Sequence, residues 1–302
     1  MEIAAPFQQN RLLGILMRVV AAVCFGVMAA MIKLAHGANI HLVEQVFYRF
    51  AFGVPPLAVW ILATRNFGAW RTERPIAHLL RGVLGFSTLL LGFSALAFLP
   101  LAEATVIGFA SPFFATILSA LILAEPVGRY RWGAVAVGFI GVLIVMQPGG
   151  SPLPLIGLVL AVLNAAAVAS VMITIRQMGR TESTPTTVLW FTIFSMIVAG
   201  FFMPAFGRSH DGTEWLILFV LGLSGGIGQL FLTASLRFAP VSVVVPFDYT
   251  QLVWVVLLGW AIWDTHPAAT TWAGAAVIIA SGLFTLYREH KLGREKPREV
   301  AL

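Results

Sequence analysis

Apolar segments of about 20 residues recur along the chain from Leu12 to Tyr287, separated by short polar or proline-containing joints. About 20 apolar residues in a helix cross the roughly 30 Å hydrocarbon core of a bilayer. A helix also satisfies its own backbone hydrogen bonds there, so the pattern predicts an all-α membrane protein. We predict ten transmembrane helices, at residues 12–33, 42–63, 77–98, 101–124, 130–147, 155–176, 186–205, 215–236, 241–263 and 269–287.

The composition leaves little chain for a soluble or catalytic domain. Of 302 residues, 59% are hydrophobic and only 11% are charged, against about 25% charged in soluble domains. The single cysteine, Cys24, excludes a disulfide framework and a zinc ribbon. Neither a zinc-hydrolase nor a serine-hydrolase motif occurs, and histidines and cysteines do not cluster. We therefore expect no enzyme activity, no cofactor and no bound metal.

The basic residues indicate orientation rather than nucleic-acid binding. The net charge is +6, but most lysines and arginines fall in the short gaps and in the C-terminal tail. If the N-terminus is cytoplasmic, nearly all of them lie on the cytoplasmic side, and Arg208 is the clear exception. By the positive-inside rule, both termini are predicted to be cytoplasmic, in the inner membrane of a bacterium.

The second half of the chain repeats the first. A shift of 140 residues aligns Gly82 with Gly222 and Pro100 with Pro240 without a gap over about 50 residues. We predict one five-helix repeat at 12–147, a second at 155–287, and a basic cytoplasmic tail at 288–302. Because five is odd, the second copy enters the membrane from the opposite side. Such inverted repeats are typical of carriers that work by alternating access around a site near the midplane.

Several segments resemble the EamA repeat of the drug/metabolite transporter superfamily, whose members are ten-helix carriers of small metabolites. They cover both halves and are residues 96–112, 123–125, 138–141, 237–251 and 280–282. Residues 48–50 and 79–82 and the ninth span look like the subgroup that contains riboflavin and S-adenosylmethionine uptake carriers. One position departs from the family: Thr265, beside Asp264, stands where the first copy has Glu125.

Ionisable side chains inside a span are costly unless paired or hydrated, so they are candidate site residues. Arg49 lies about seven residues into the second span and could bind an anion or carboxylate. It could instead pair internally with Glu44 or Glu103. Asp248, in the ninth span after Pro246, could bind a cation or take up a proton. The alternative is a structural acid bonded to Arg237.

Further polar and aromatic residues complete the predicted substrate site. Glu103 lies at the end of the fourth span, where it could also simply contact water. The others supply hydrogen bonds or stacking surface, although each is individually more common as an interhelical contact. They are Tyr48, Asn164, Trp190, Gln229, Tyr249 and Gln251.

The sequence thus predicts a secondary transporter of a small polar or zwitterionic metabolite, such as an amino acid, vitamin or nucleoside-like compound. No nucleotide-binding domain is visible, so a proton or sodium gradient, or the solute gradient itself, would supply the energy. We expect a monomer or homodimer in the lipid bilayer, with no nucleic-acid partner. The alternatives are a drug or metabolite exporter of the same fold and a membrane-embedded enzyme or scaffold.

Overall fold

The fold is that of a computed structural model of the chain. It describes residues 10–63, 68, 70–122, 127–147, 153–178, 182, 184–239 and 241–295. Within these ranges every regular element is helical, and ten helical segments are long and apolar enough to cross a membrane. The predicted all-α architecture of ten spans is confirmed. The orientation of the termini remains a prediction.

Seven spans are single helices. They are α1 (Arg11–Gly37), α4 (Pro75–Phe98), α7 (Arg129–Met146), α8 (Leu155–Met178), α9 (Thr184–Phe206), α10 (Gly212–Phe238) and α13 (Ala269–Glu295), which form spans 1, 3, 5, 6, 7, 8 and 10. The last helix extends past residue 287 into the predicted basic tail. Residues 296–302 of that tail lie outside the described residues.

The other three spans are interrupted. Span 2 consists of α2 (Leu42–Ala51) and α3 (Val54–Ala63), and span 4 of α5 (Leu101–Gly108) and α6 (Ser111–Ile122). Span 9 begins with α11 (Val241–Val244), continues as a 3₁₀ turn (Val245–Thr250) and ends as α12 (Gln251–Trp263). A proline lies at or just after each interruption, where its ring and missing N–H disfavour a continuous helix.

The two halves pack against each other in matched pairs. Span 1 packs along span 8, and the equivalent spans of the other half, 6 and 3, do the same. A Cβ added at Gly14 would lie 2.8 Å from Cβ of Ala239, and one added at Gly157 would lie 2.9 Å from the Leu99 side chain. These two contacts are copies of each other, because Gly157 follows Gly14 by 143 residues and Ala239 follows Leu99 by 140. The internal repeat therefore extends from the sequence to the packing.

A glutamate–histidine contact joins the halves at each end of the bundle. At the end where α1 finishes, Glu44 of α2 meets His210, which precedes α10, with Oε1 and Nε2 3.0 Å apart. At the end where α1 begins, Glu182, between spans 6 and 7, lies 3.4 Å from Nε2 of His78 in α4. All four side chains are nearly or fully buried. Spans 2 and 7 are equivalent, as are spans 3 and 8, so the two contacts occupy related positions.

Candidate functional site: a cavity between the two halves

A cavity of about 350 Å³ lies between the two halves of the bundle. Spans 1, 3 and 4 of the first half line it, together with their equivalents 6, 8 and 9 of the second half. Its volume is in the range of small-molecule sites. We call this space the central cavity. Its lining residues are Ala22, Phe25, Met28, Ala29, Ile32, Thr88, Leu89, Gly92, Phe93, Ala95, Leu96, Ala104, Thr105, Gly108, Phe109, Ser111, Ala161, Asn164, Leu232, Asp248 and Gln251.

Two of the interrupted helices meet the central cavity at their interruptions. Gly108, Phe109 and Ser111 line it where α5 gives way to α6. Asp248 and Gln251 line it where the 3₁₀ turn of span 9 gives way to α12. Spans 4 and 9 are equivalent in the two repeats. Discontinuous helices at corresponding positions are the usual location of a transporter's binding site, because unwound backbone is tolerated where it lines a cavity.

Asp248 is held by Arg18 of α1 in a two-pronged salt bridge. The Arg18 Nε donates to one carboxylate oxygen, and Nη2 donates to the other at 2.5 Å. Arg18 is deeply buried, with 8% of its side chain exposed, whereas Asp248 keeps 35% exposed. A carboxylate can accept about four hydrogen bonds. Asp248 can therefore bind a further donor from the cavity while Arg18 remains attached.

The rest of the central cavity is largely apolar, with a few hydrogen-bonding groups. Phe25, Met28, Phe93 and Phe109 supply aromatic and sulfur surface. Oδ1 of Asn164 is buried and has no hydrogen-bond partner among the described residues. Such a wall suits a ligand with a flat or apolar body and a few polar groups. Among the described lining residues, Asp248 is the single charged side chain.

Three of the predicted site residues line the central cavity: Asp248, Asn164 and Gln251. Tyr249 does not line it, although it neighbours Asp248 in sequence. Its ring packs edge-on against Phe109, with centroids 5.0 Å apart. Tyr249 thus packs against Phe109, which lines the cavity.

Arg49 and Gln229 lie together at a second, much smaller pocket between spans 2, 7 and 8. Arg49 forms no salt bridge with Glu44 or Glu103 in the described structure, and both acids contact other residues. Oε1 of Glu103 accepts a hydrogen bond of 2.9 Å from the hydroxyl of Thr271. Glu103 does not line the central cavity.

Tyr48 and Trp190 lie away from both pockets, toward opposite ends of the bundle. Tyr48 packs edge-on against Trp215, with centroids 5.2 Å apart, near His210. Trp190 donates from Nε1 to the carbonyl of Trp70 at 3.2 Å and packs near His78.

Arg18 belongs to the site but is not among the predicted site residues. By the positive-inside rule it counts only as a cytoplasmic basic residue, and Arg237 is the partner that the sequence offers for Asp248 in the alternative, structural interpretation. The side chain of Arg237 lies outside the described residues. A usable signal was present, because Arg18 is the eighth residue of α1 and lies roughly 10 Å along the helix. That depth made it a candidate partner for the acid in span 9. Glu125, the family glutamate, also lies outside the described residues.

Ten spans in two repeats, with broken helices facing a shared cavity, define a membrane transporter of the inverted-repeat class. The chain belongs to the EamA-like transporter family, whose model matches residues 12–147 and 155–287. It is therefore a multi-pass membrane protein, and its bacterial relatives are transporters of the inner membrane.

Named relatives transport different solutes. The chain is 31% identical over 275 residues to the pseudopaline exporter CntI of Pseudomonas aeruginosa, covering 89% of this chain and 94% of that protein. It is 30% identical over 288 residues to a riboflavin transporter of Rhizobium johnstonii, covering 93% of each. It is 30% identical over 261 residues to an S-adenosylmethionine uptake transporter of Rickettsia conorii, covering 86% and 88%.

A solved structure supports the fold. One crystal structure superposes with a TM-score of 0.61 at 20% identity, and the match covers 90% of this chain and 98% of that one.

Proposed function

We propose that the central cavity binds one small metabolite with a cationic or hydrogen-bond-donating group, and that the protein carries it across the membrane by alternating access. The observation that carries this proposal is the partly exposed carboxylate of Asp248 in a cavity whose other described lining residues are uncharged. A cationic amine or an N–H group of the solute binds Asp248. The aromatic wall holds the body of the solute, and Asn164 and Gln251 orient it.

The Arg18–Asp248 salt bridge links solute binding to movement of the two halves. Arg18 belongs to the first repeat and Asp248 to the second. A solute cation or a coupling proton that occupies Asp248 weakens its attraction to Arg18. The halves then move more easily relative to each other, as alternating access requires.

The relatives differ in the solutes that they transport. They therefore support the function of a metabolite carrier more strongly than they support any particular solute. The named relatives include an exporter and uptake transporters. We therefore define the substrate class by the cavity: a solute of vitamin or nucleoside size with a polar or cationic group and an aromatic or apolar part.

A binding screen tests this assignment. Purified protein is heated with a panel of cationic, zwitterionic, neutral and anionic metabolites of this size, because a solute that binds the folded state raises the melting temperature. We expect stabilisation by members that carry a cation or several donors, and its loss in Asp248→Asn. Asp264→Asn, which changes an exposed acid at the end of α12, serves as the matched control. Stabilisation confined to anionic solutes, or retained in Asp248→Asn, would overturn the assignment.

A further inference from the structure

Two buried arginines stack on one pair of aromatic rings outside the central cavity. Arg49 of α2 is 6% exposed and Arg81 of α4 is 7% exposed. The Arg49 guanidinium lies 4.5 Å from the ring centroid of Phe50, and the Arg81 guanidinium lies 4.1 Å from that of Phe191. The two rings meet edge to face at 5.3 Å. Two positive charges are thus held within one small region of the bundle.

Neither arginine has an acidic partner in the described part of the chain. Nε of Arg49, and Nε and Nη1 of Arg81, are buried without a hydrogen-bond partner there. Stacking on a ring offsets part of the cost of a buried cation but satisfies none of its N–H donors.

The buried or half-buried acids of the described spans contact groups other than these two arginines. Glu44 contacts His210, Glu103 accepts from Thr271, and Asp248 binds Arg18. A buried charge normally has a counter-charge. The described part of the chain offers none to the two arginines, and an anion from solution can supply it.

The pocket beside Arg49 sets the size of that anion. Its volume is about 20 Å³, and Phe50, Phe191, Thr192 and Gln229 also line it. A pocket of this volume holds about one water-sized sphere. It is therefore too small for a metabolite. The pocket shares no lining residue with the central cavity.

We propose that this pocket binds a single small monovalent anion of the size of chloride. Arg49 contacts the anion directly, and the Gln229 amide can donate a further hydrogen bond. Arg81, stacked on the neighbouring Phe191, adds a second positive charge to the field. The proposed anion site is separate from the central cavity. Anion binding there is therefore independent of which solute the central cavity binds.

Thermal unfolding in a chloride series, with gluconate added to hold the ionic strength constant, tests the proposal. Gluconate is too large for the pocket. The melting temperature of the wild type should rise with chloride, by roughly 5 °C at about 100 times the dissociation constant. Arg49→Gln should abolish this rise. Arg129→Gln, an equal charge change at an exposed position, should retain it.

Two further measurements keep the test decisive if Arg49→Gln does not fold. Arg81→Gln should shift the half-saturating chloride concentration upward by roughly threefold to tenfold. Crystals of the wild type grown in bromide should show an anomalous peak beside the Arg49 guanidinium. A chloride-independent melting temperature in the wild type, or bromide peaks at the protein surface alone, would overturn the proposal. A failed substrate screen with an intact chloride response would count against the transport proposal alone.

Discussion

His210 lies between two carboxylates, with Nε2 3.0 Å from Oε1 of Glu44 and Nδ1 3.0 Å from Oε2 of Glu214. Glu44 belongs to the first repeat, and His210 and Glu214 belong to the second. Arg208 closes the cluster, donating to Glu214 at 2.7 Å and to the backbone carbonyl of Ala38 at 2.9 Å. A cluster of polar contacts thus joins the two halves at the end of the bundle where α1 ends.

His210→Ala should destabilise the protein by about 1–3 kcal/mol, because the buried Glu44 carboxylate loses a hydrogen-bond partner. The midpoint of thermal unfolding in detergent measures the change. His36→Ala, at an exposed position at the end of α1, should leave the midpoint nearly unchanged. Equal midpoints for the two variants would show that the cluster contributes little.

The contact at the opposite end should make stability depend on pH through Glu182. Burial raises the pKa of Glu182, but hydrogen bonds from the Thr72 hydroxyl and the Glu73 backbone, together with the charge of His78, lower it more, so the pKa lies below its ordinary value of 4.5. The stabilisation is therefore complete above the ordinary value and is lost as pH falls through the lowered pKa.

Melting temperatures recorded from about pH 6 to about pH 3 should show this loss in the wild type and a smaller one in Glu182→Gln. Glu73→Gln changes an exposed acid nearby and should follow the wild type. If the melting temperatures of Glu182→Gln and the wild type fell equally with pH, the loss of stability in acid would not come from Glu182.

A double-mutant cycle should reveal coupling between Arg18 and Asp248. Arg18→Gln leaves Asp248 without its partner, and Asp248→Asn leaves Arg18 as an unpaired buried cation. The stability losses of the two single variants should therefore add up to more than the loss in the double variant. The difference is the coupling energy, which we expect to be about 1–3 kcal/mol. Unfolding midpoints of the four proteins supply the cycle. Additive effects would mean that the salt bridge does not couple the halves.

Gly226→Ala should disturb the packing of α10 against the interruption of span 2. A Cβ there would lie 2.7 Å from Cα and 2.9 Å from the carbonyl oxygen of Gly53, and backbone atoms cannot rotate away. We expect a loss of about 1–3 kcal/mol. Gly133→Ala, in α7 with no atom within 4 Å of the added Cβ, should be neutral or slightly stabilising. Unfolding midpoints compare the two, and a neutral Gly226→Ala would contradict the observed contact.

The ten spans and the repeat could be predicted because hydropathy and self-similarity depend only on residue types and their spacing in the sequence. The rule that ionisable residues inside a span are candidate site residues also selected Asp248, which lines the central cavity. Depth alone, however, does not give the rotation of a helix about its axis. Arg49 was selected by the same rule and lies at a different pocket.

The positions of Tyr249 and Arg18 needed the three-dimensional structure for other reasons. Span 9 is a 3₁₀ turn at this point, so consecutive side chains point about 120° apart. Tyr249 therefore leaves the cavity that Asp248 lines. Arg18 lies 230 residues from Asp248, and no sequence periodicity joins them. The repeat relates span 1 to span 6 and span 4 to span 9, but it does not specify which residues of spans 1 and 9 meet.

Solute flux into liposomes is the direct test of transport through the central cavity. A metabolite identified by the binding screen is supplied outside vesicles containing equal amounts of wild type, Asp248→Asn or Asp264→Asn, and its accumulation is followed. We expect protein-dependent flux that is unchanged in Asp264→Asn and reduced about tenfold or more in Asp248→Asn, as expected for loss of a charged hydrogen bond. Flux through Asp248→Asn equal to that of the wild type would contradict a transport site at the central cavity.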